Sequence, residues 1–163
     1  MVSSVLRTSF RVNGDSVEAN LAPTLRLSTF LRQSLGLTGL KEGCCEGECG
    51  ACTILLDGQP VNSCLMLAAQ ADGREIITIE GLSANGPTRL QRTFLETGAV
   101  QCGYCTPGMI MAAEGLLRAN AAPSHEEIRS ALAGNICRCT GFETIVLAVA
   151  AEATARRREN VVT

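Results

Sequence analysis

A chain of 163 residues with a net charge of −2, 3% aromatic residues and no Trp has neither the basic patch nor the stacking side chains of a nucleic-acid binder. No segment approaches the roughly 20 apolar residues of a membrane span, and the N-terminus lacks a charged stretch followed by an apolar run, so a cytoplasmic protein is expected. Nine cysteines, an odd number without a leader, argue against a disulfide framework and for metal or redox chemistry in a reducing compartment.

In chain order, residues 5–21 read as a β-hairpin. Phe10 and Val12 alternate with polar neighbours, Asn13-Gly14 is a two-residue turn signal, and Val17, Ala19 and Leu21 resume the alternation. Residues 27–35 space Leu27, Phe30, Leu31 and Leu35 along one helical face, and Gly36 ends it. A loop rich in Gly and Cys covers residues 39–52. Residues 53–56 predict a short strand, Asp57-Gly58 a turn, and Pro60-Val61 the return. Residues 64–69 fit a strand or a helix, and residues 75–79 predict a strand. This order suggests a small mixed sheet packed on one helix in the β-grasp manner. Residues 81–87 read as a linker, which divides the chain into 1–82 and 83–163.

Strand signals stop at that linker. Residues 88–97 are helical through Leu90, Phe94 and Leu95, with Gly98 at the end. Thr106 reads as the cap of the next helix and Pro107 as its first residue. Met109, Ile110, Ala113, Leu116 and Leu117 form its apolar stripe. After Pro123, Ser124 and Glu127 make a capping box for a helix that stops at Gly134. His125, in that first turn, reads as a surface residue. A last helix runs from about residue 142 to about 153, with Ile145, Ala148 and Val149 facing inward. Arg156, Arg157 and Arg158 read as its solvated, dipole-matched end. The fold class is α+β: a β-grasp-like sheet domain, then four helices.

Eight of the cysteines fall into tight groups. Cys44, Cys49 and Cys52 have the Cys-x4-Cys-x2-Cys spacing of a plant-type [2Fe–2S] loop, and the strand and turn after Cys52 return the chain so that Cys64 can add a fourth thiolate. Gly43, Gly47 and Gly50 let the backbone wrap closely around such a centre. Cys45 breaks the spacing and reads as a bystander thiol. The second set joins a Cys-x2-Cys pair, Cys102 and Cys105, to a Cys-x-Cys pair, Cys137 and Cys139. A helix starts after each pair, and helix N-termini favour an anionic centre. Spacing alone suits zinc as well as iron and sulfide here. A first cluster elsewhere in the chain favours iron–sulfur, because two redox centres make a relay. There is no dinucleotide fingerprint, no Walker A pattern, and no Ser/His/Asp set built on the single His, so no catalytic residue is assigned.

The stretches Lys41-Glu42-Gly43-Cys44-Cys45-Glu46-Gly47-Glu48-Cys49-Gly50-Ala51-Cys52-Thr53, Val61-Asn62-Ser63-Cys64, Gln101-Cys102-Gly103-Tyr104-Cys105-Thr106-Pro107-Gly108-Met109 and Gly134-Asn135-Ile136-Cys137-Arg138-Cys139-Thr140-Gly141 resemble the iron–sulfur small subunit of the molybdenum hydroxylases. That is the family of xanthine dehydrogenase and aldehyde oxidoreductase, with carbon monoxide dehydrogenase and 4-hydroxybenzoyl-CoA reductase as relatives. The similarity runs from about residue 6 to about residue 153. It implies an N-terminal ferredoxin-like β-grasp domain and a C-terminal four-helix domain, each binding one [2Fe–2S] cluster. It also implies a large subunit with molybdenum–pterin, usually a dinucleotide, a medium subunit with FAD, and a dimer of such heterotrimers. Carried over to this sequence, Cys139 lies next to the pterin and Gln101 hydrogen-bonds to it. The implied role is passage of single electrons from molybdenum to flavin while the large subunit hydroxylates an N-heterocycle, purine or aldehyde. Two positions depart from the family pattern: Cys45, where a small or polar residue is commoner, and Phe142, where Tyr is common. The same relay in a 4-hydroxybenzoyl-CoA reductase-like or carbon monoxide dehydrogenase-like enzyme, an independent two-cluster ferredoxin and a zinc-stapled interaction module are the competing readings.

Overall fold

The computed structural model describes residues 5–162; residues 1–4, part of the stretch read above for a leader, and residue 163 lie outside the described residues. β1 (Leu6–Val12) and β2 (Asp15–Leu21) form the expected hairpin, with Val12 opposite Asp15. Asn13 and Gly14 both take positive φ, 54° and 94°, as a two-residue turn between twisted strands requires. β3 (Thr53–Leu56) and β4 (Gln59–Asn62) form a second hairpin around Asp57 and Gly58. Pro60 sits on β4, an edge strand, where its missing N–H leaves no ladder bond unmade.

β5 (Glu75–Ile77) joins the two hairpins. It runs parallel to β1 and antiparallel to β3, giving the sheet order β2-β1-β5-β3-β4. The strand expected over residues 75–79 ends two residues early. The backbone N–H of Thr78 donates to Asn13 Oδ1 at 2.8 Å rather than to a neighbouring strand, and Ile79 opens the short helix α2 (Ile79–Leu82). The start of the expected linker is therefore helical.

One face of the sheet packs on α1 (Leu27–Thr29), which continues as a π-helical turn over Phe30–Ser34. Phe10, Ile54, Leu56 and Ile76 meet Leu27, Phe30 and Leu31 there, and the Phe10 and Phe30 rings cross edge to face at 5.6 Å. Residues 64–69, open between strand and helix, form 3₁₀ turns at Ser63–Leu65 and Ala68–Ala71.

Four helices follow: α3 (Arg89–Glu96), α4 (Thr106–Ala119), α5 (His125–Leu132) and α6 (Glu143–Val162). Their core holds Leu90, Phe94, Met109, Ile128, Leu132, Ile145 and Val149. Capping boxes start α3 (Thr88 with Gln91) and α5 (Ser124 with Glu127). α4 differs from expectation at its start: Cys105 is the N-cap, Thr106 is already helical, and Pro107 falls one position later. α6 also runs beyond residue 153.

α4 is buried on nearly every side because it has two partners. It faces the helices through Met109, Ala113 and Leu117, and it lies across β3 through small residues. A Cβ on Gly115 would meet Leu55 Cδ2 at 3.2 Å and Pro60 Cδ at 2.9 Å. β3 is accordingly buried on both faces.

Candidate functional site

The thiols come together in pairs. In the first set, Cys44 and Cys49 lie on the loop between α1 and β3. Cys52 directly precedes β3, and Cys64 lies in the 3₁₀ turn after β4. The Cys44 thiol neighbours that of Cys49, and the Cys52 thiol that of Cys64. In the second set, Cys102 Sγ and Cys139 Sγ are 3.6 Å apart, and the Cys105 thiol neighbours that of Cys137. Among the described residues, no three Cys, His, Asp or Glu side chains converge on a single-ion site. Two dithiol pairs are the donor set of a two-iron centre, in which each iron takes two thiolates.

Backbone groups are aimed at these sulfurs. Cys44 N–H donates to Cys49 Sγ and Glu46 N–H to Cys44 Sγ, both at 3.4 Å. The bond from Glu46, supported by Cys49, brings the Cys44 thiol down to about 7. Burial pushes Cys52 up to about 12. In the second set burial raises Cys105 to about 12. It also pushes Cys137 upward, but there the Thr140 hydroxyl at 3.1 Å and N–H at 3.5 Å outweigh it, and the net shift is down. Cys139 is raised, chiefly by its bond to Cys102. Cys44 and Cys137 thus give up a proton more readily than an ordinary thiol, while Cys52, Cys105 and Cys139 hold theirs until a cation replaces them.

Other features fit the same groups. A Cβ on Gly43 would sit 3.0 Å from Cys49 Sγ, so a larger residue there would crowd that sulfur. Thr106 Oγ1 and Thr144 Oγ1 are buried without a partner among the described residues. Both lie in the first turns of α4 and α6, the helices that begin beside the second set.

The two sets touch. Ile136 N–H donates to the Cys49 carbonyl at 2.9 Å. Asn135 Nδ2 donates to the Gly50 carbonyl at 2.8 Å, and the Tyr104 hydroxyl donates to the Glu42 carbonyl at 2.6 Å. Glu42 is in turn held by Ser28 Oγ at 2.5 Å and faces Arg32 at 3.8 Å. Asn135, Tyr104 and Glu42 were not singled out from sequence. Their partners are 62 to 85 residues away, and an Asn after Gly reads locally as a turn residue.

The remaining expected residues are placed as follows. Cys102 and Cys139 are the exposed pair, and Gln101 is exposed beside Cys102. Cys45 is half-buried with φ of 57°, and it lies outside both sets of paired thiols. Phe142 takes φ of 69° at the turn into α6, and its ring packs on the helical core, which uses no hydroxyl. His125 is exposed. Arg156 departs from its reading as a solvated end: it bonds Glu152 Oε1 at 2.8 Å and Glu114 Oε2 at 2.6 Å.

Residues 10–78 match the family described as 2Fe-2S iron-sulfur cluster binding domain, and residues 78–150 match the [2Fe-2S] binding domain. The chain is 54% identical over 142 residues to the nicotinate dehydrogenase small FeS subunit of Eubacterium barkeri, covering 86% of this chain and 90% of that one. Its fold superposes on quinoline 2-oxidoreductase from Pseudomonas putida 86 with a TM-score of 0.89 and 47% identity, over 96% of this chain and 98% of the other. With aldehyde oxidoreductase from Desulfovibrio gigas the TM-score is 0.90 at 40% identity, over 94% of this chain and 17% of that longer one. Two [2Fe–2S] domains resolve the choice between zinc and iron that spacing left open at the second set. The chain belongs to the two-cluster iron–sulfur small subunits of the molybdenum hydroxylases, as a non-catalytic subunit of an oxidoreductase.

Proposed function

We propose that this chain is an electron relay between a molybdenum–pterin dinucleotide on a large subunit and FAD on a medium subunit, within a dimer of heterotrimers. The observation that carries the reading is the bond from Ile136 N–H to the Cys49 carbonyl at 2.9 Å. It joins the two thiol sets by backbone and one hydrogen bond, Cys49 on one side and Cys137 on the other. In this reading residues 1–82 form one cluster domain and residues 83–163 the other. Cys44, Cys49, Cys52 and Cys64 hold the first [2Fe–2S] cluster, and Cys102, Cys105, Cys137 and Cys139 hold the second. When bound, the clusters supply one-electron redox capacity.

This chain's residues set where the relay begins and ends. Cys102 and Cys139, the exposed pair, with Gln101 beside them, form the face toward the pterin. Cys52 and Cys64 are buried, and the first loop presents Cys44 and Cys49 nearer the surface. The similarity to subunits of nicotinate dehydrogenase and quinoline 2-oxidoreductase supports an N-heterocycle as the substrate of the whole enzyme.

The test is the iron, zinc, molybdenum and flavin content of the assembly purified natively through this chain. Iron with molybdenum and FAD is the expected result. Iron alone on a free chain replaces the reading with a two-cluster ferredoxin, and stoichiometric zinc with little iron overturns it.

A further inference from the structure

The junction between the thiol sets holds two buried polar side chains, Asn135 and Thr53. Asn135 is only 5% exposed, although it lies in a loop two residues before Cys137. Its Nδ2 carries two hydrogens and uses them on two acceptors, the Gly50 carbonyl at 2.8 Å and Thr53 Oγ1 at 3.1 Å. Thr53 Oγ1 passes its own hydrogen to the same Gly50 carbonyl at 2.7 Å, closing a three-membered ring of bonds. Consecutive carbonyls of the first loop, Cys49 and Gly50, thus accept from consecutive residues of the second, Ile136 and Asn135.

Ile136 contributes its backbone N–H, and its side chain is 56% exposed. Asn135 is also fixed from behind, by its N–H on the Leu132 carbonyl at the end of α5. The loops meet without spare room. A Cβ on Gly50 would lie inside 3.0 Å of the Gly134 carbonyl and of Asn135, and one on Gly108 inside 3.0 Å of the Gly50 carbonyl.

We propose that Asn135 is a positioning residue for electron passage between the two centres, holding the Cys49 peptide and the Ile136 N–H in register. This rests on the relay reading above. The step it serves moves a single electron: one centre is oxidised as the other is reduced, and no bond or proton changes hands. Loss of the amide leaves the Gly50 carbonyl held only from its own loop, by the Thr53 N–H at 3.1 Å and Thr53 Oγ1 at 2.7 Å, and removes the side-chain tie beside the Ile136–Cys49 bond, which then lengthens.

The test uses the complete enzyme assembly with Asn135→Ala, Asn135→Ser and Thr53→Val. Iron per chain is measured first. Low-temperature EPR of the reduced assembly then reads the magnetic interaction between the two centres, and rapid freeze-quench follows the delay between reduction of one and of the other. In iron-replete Asn135→Ala the interaction should weaken, and electron exchange should slow at least several-fold. Asn135→Ser should recover part of it, and Thr53→Val should show the same change in smaller degree. A residue that only stabilises the fold lowers the midpoint of thermal unfolding but leaves the interaction and the delay as in wild type, and that result overturns the proposal. If Asn135→Ala loses its iron, Thr53→Val decides, and unchanged coupling there is equally fatal. A wild-type assembly in which only one centre takes electrons sinks the relay reading instead.

Discussion

Gly108→Ala isolates the contact between α4 and the first thiol loop. Gly108 is the third residue of α4, and an added Cβ would lie inside 3.0 Å of the Gly50 carbonyl oxygen, 3.0 Å from Asn135 Nδ2 and 3.3 Å from Ala51 Cα. Ordinary C···O contacts are ~3.3 Å or longer, so the loop must retreat by several tenths of an ångström or more. Its backbone is already held by Asn135, Thr53 and Ile136, so retreat strains or breaks those bonds. Losing one or two buried hydrogen bonds costs roughly 1–3 kcal/mol. Ala gains up to about 1 kcal/mol of helix propensity over Gly, and less in a first turn. The net is about 1–2 kcal/mol of destabilisation, which is about 2–8 °C in a chain of this size. Gly134→Ala is the control: nothing lies within 4 Å of its Cβ and its φ is ordinary, so it should be neutral or gain about 0.4–1 kcal/mol. The assay is thermal bleaching of the visible iron–sulfur absorption in the purified assembly, with iron per chain measured beforehand. Equal midpoints for the two alanine variants would falsify the argument that α4 and the loop are in hard contact.

Glu152 is 2% exposed and takes Arg89 through two oxygens, at 2.7 and 3.2 Å, and Arg156 at 2.8 Å. Breaking a buried pair costs ~3–5 kcal/mol, but both arginines are about a third exposed, so Glu152→Gln should cost about 1–3 kcal/mol, read as a lower unfolding midpoint; an unchanged midpoint removes the network from the stability of the helical half. Asp57 is held below its ordinary 3.8 by the Glu75 N–H and then by Arg74. Its folded value is depressed, so its stabilisation is present above 3.8 and lost as pH falls through the folded value. Asn tolerates the positive φ at that turn, so Asp57→Asn should flatten the acid limb of a stability–pH curve, and an identical limb in both proteins refutes the assignment. Tyr104→Phe removes the hydroxyl that bonds the Glu42 carbonyl. With the side chain 48% exposed, the loss should be about 0.5–1.5 kcal/mol and local, seen as faster amide exchange near residues 42–44 without change near residue 136.

What could be read in advance was local chemistry. Asn13-Gly14 states its turn in two residues, Ser124 and Glu127 state a helix start in four, and the first thiol loop carries its spacing and its glycines together. The failures are places where a distant partner decides. Ile79 looked like strand until Asn13 took the Thr78 N–H. Thr106 looked like a cap, but Cys105 takes that position. Arg156 looked solvated because Glu114 is one helix away, although Glu152 was already in view at the i, i+4 spacing. The junction was hidden for the same reason: Asn135 and Gly50 are 85 residues apart, and neither residue has a local motif that announces the other.

The packing of β3 explains why the two thiol sets meet at all. Ile54 and Leu56 point into the core under α1, while Leu55 points the other way, against the small-residue face of α4. Without α4 the sheet would expose Leu55 and Ala51, and without the sheet α4 would expose Gly108, Ala112 and Gly115, which have little apolar surface for any other partner. The halves therefore share a core seam as well as a linker. That seam runs from Gly115 at β3 down to Gly108, and Gly108 lies against Gly50. Cys49 and Cys52 flank Gly50, and Cys105 caps the helix that carries Gly108. The spacing between the thiol sets is thus inherited from helix-on-sheet packing, which is dense and resists small displacements. The proposed relay would gain its fixed separation from residues that touch neither sulfur set, which is why the glycines of α4 belong to the site as much as the loops do.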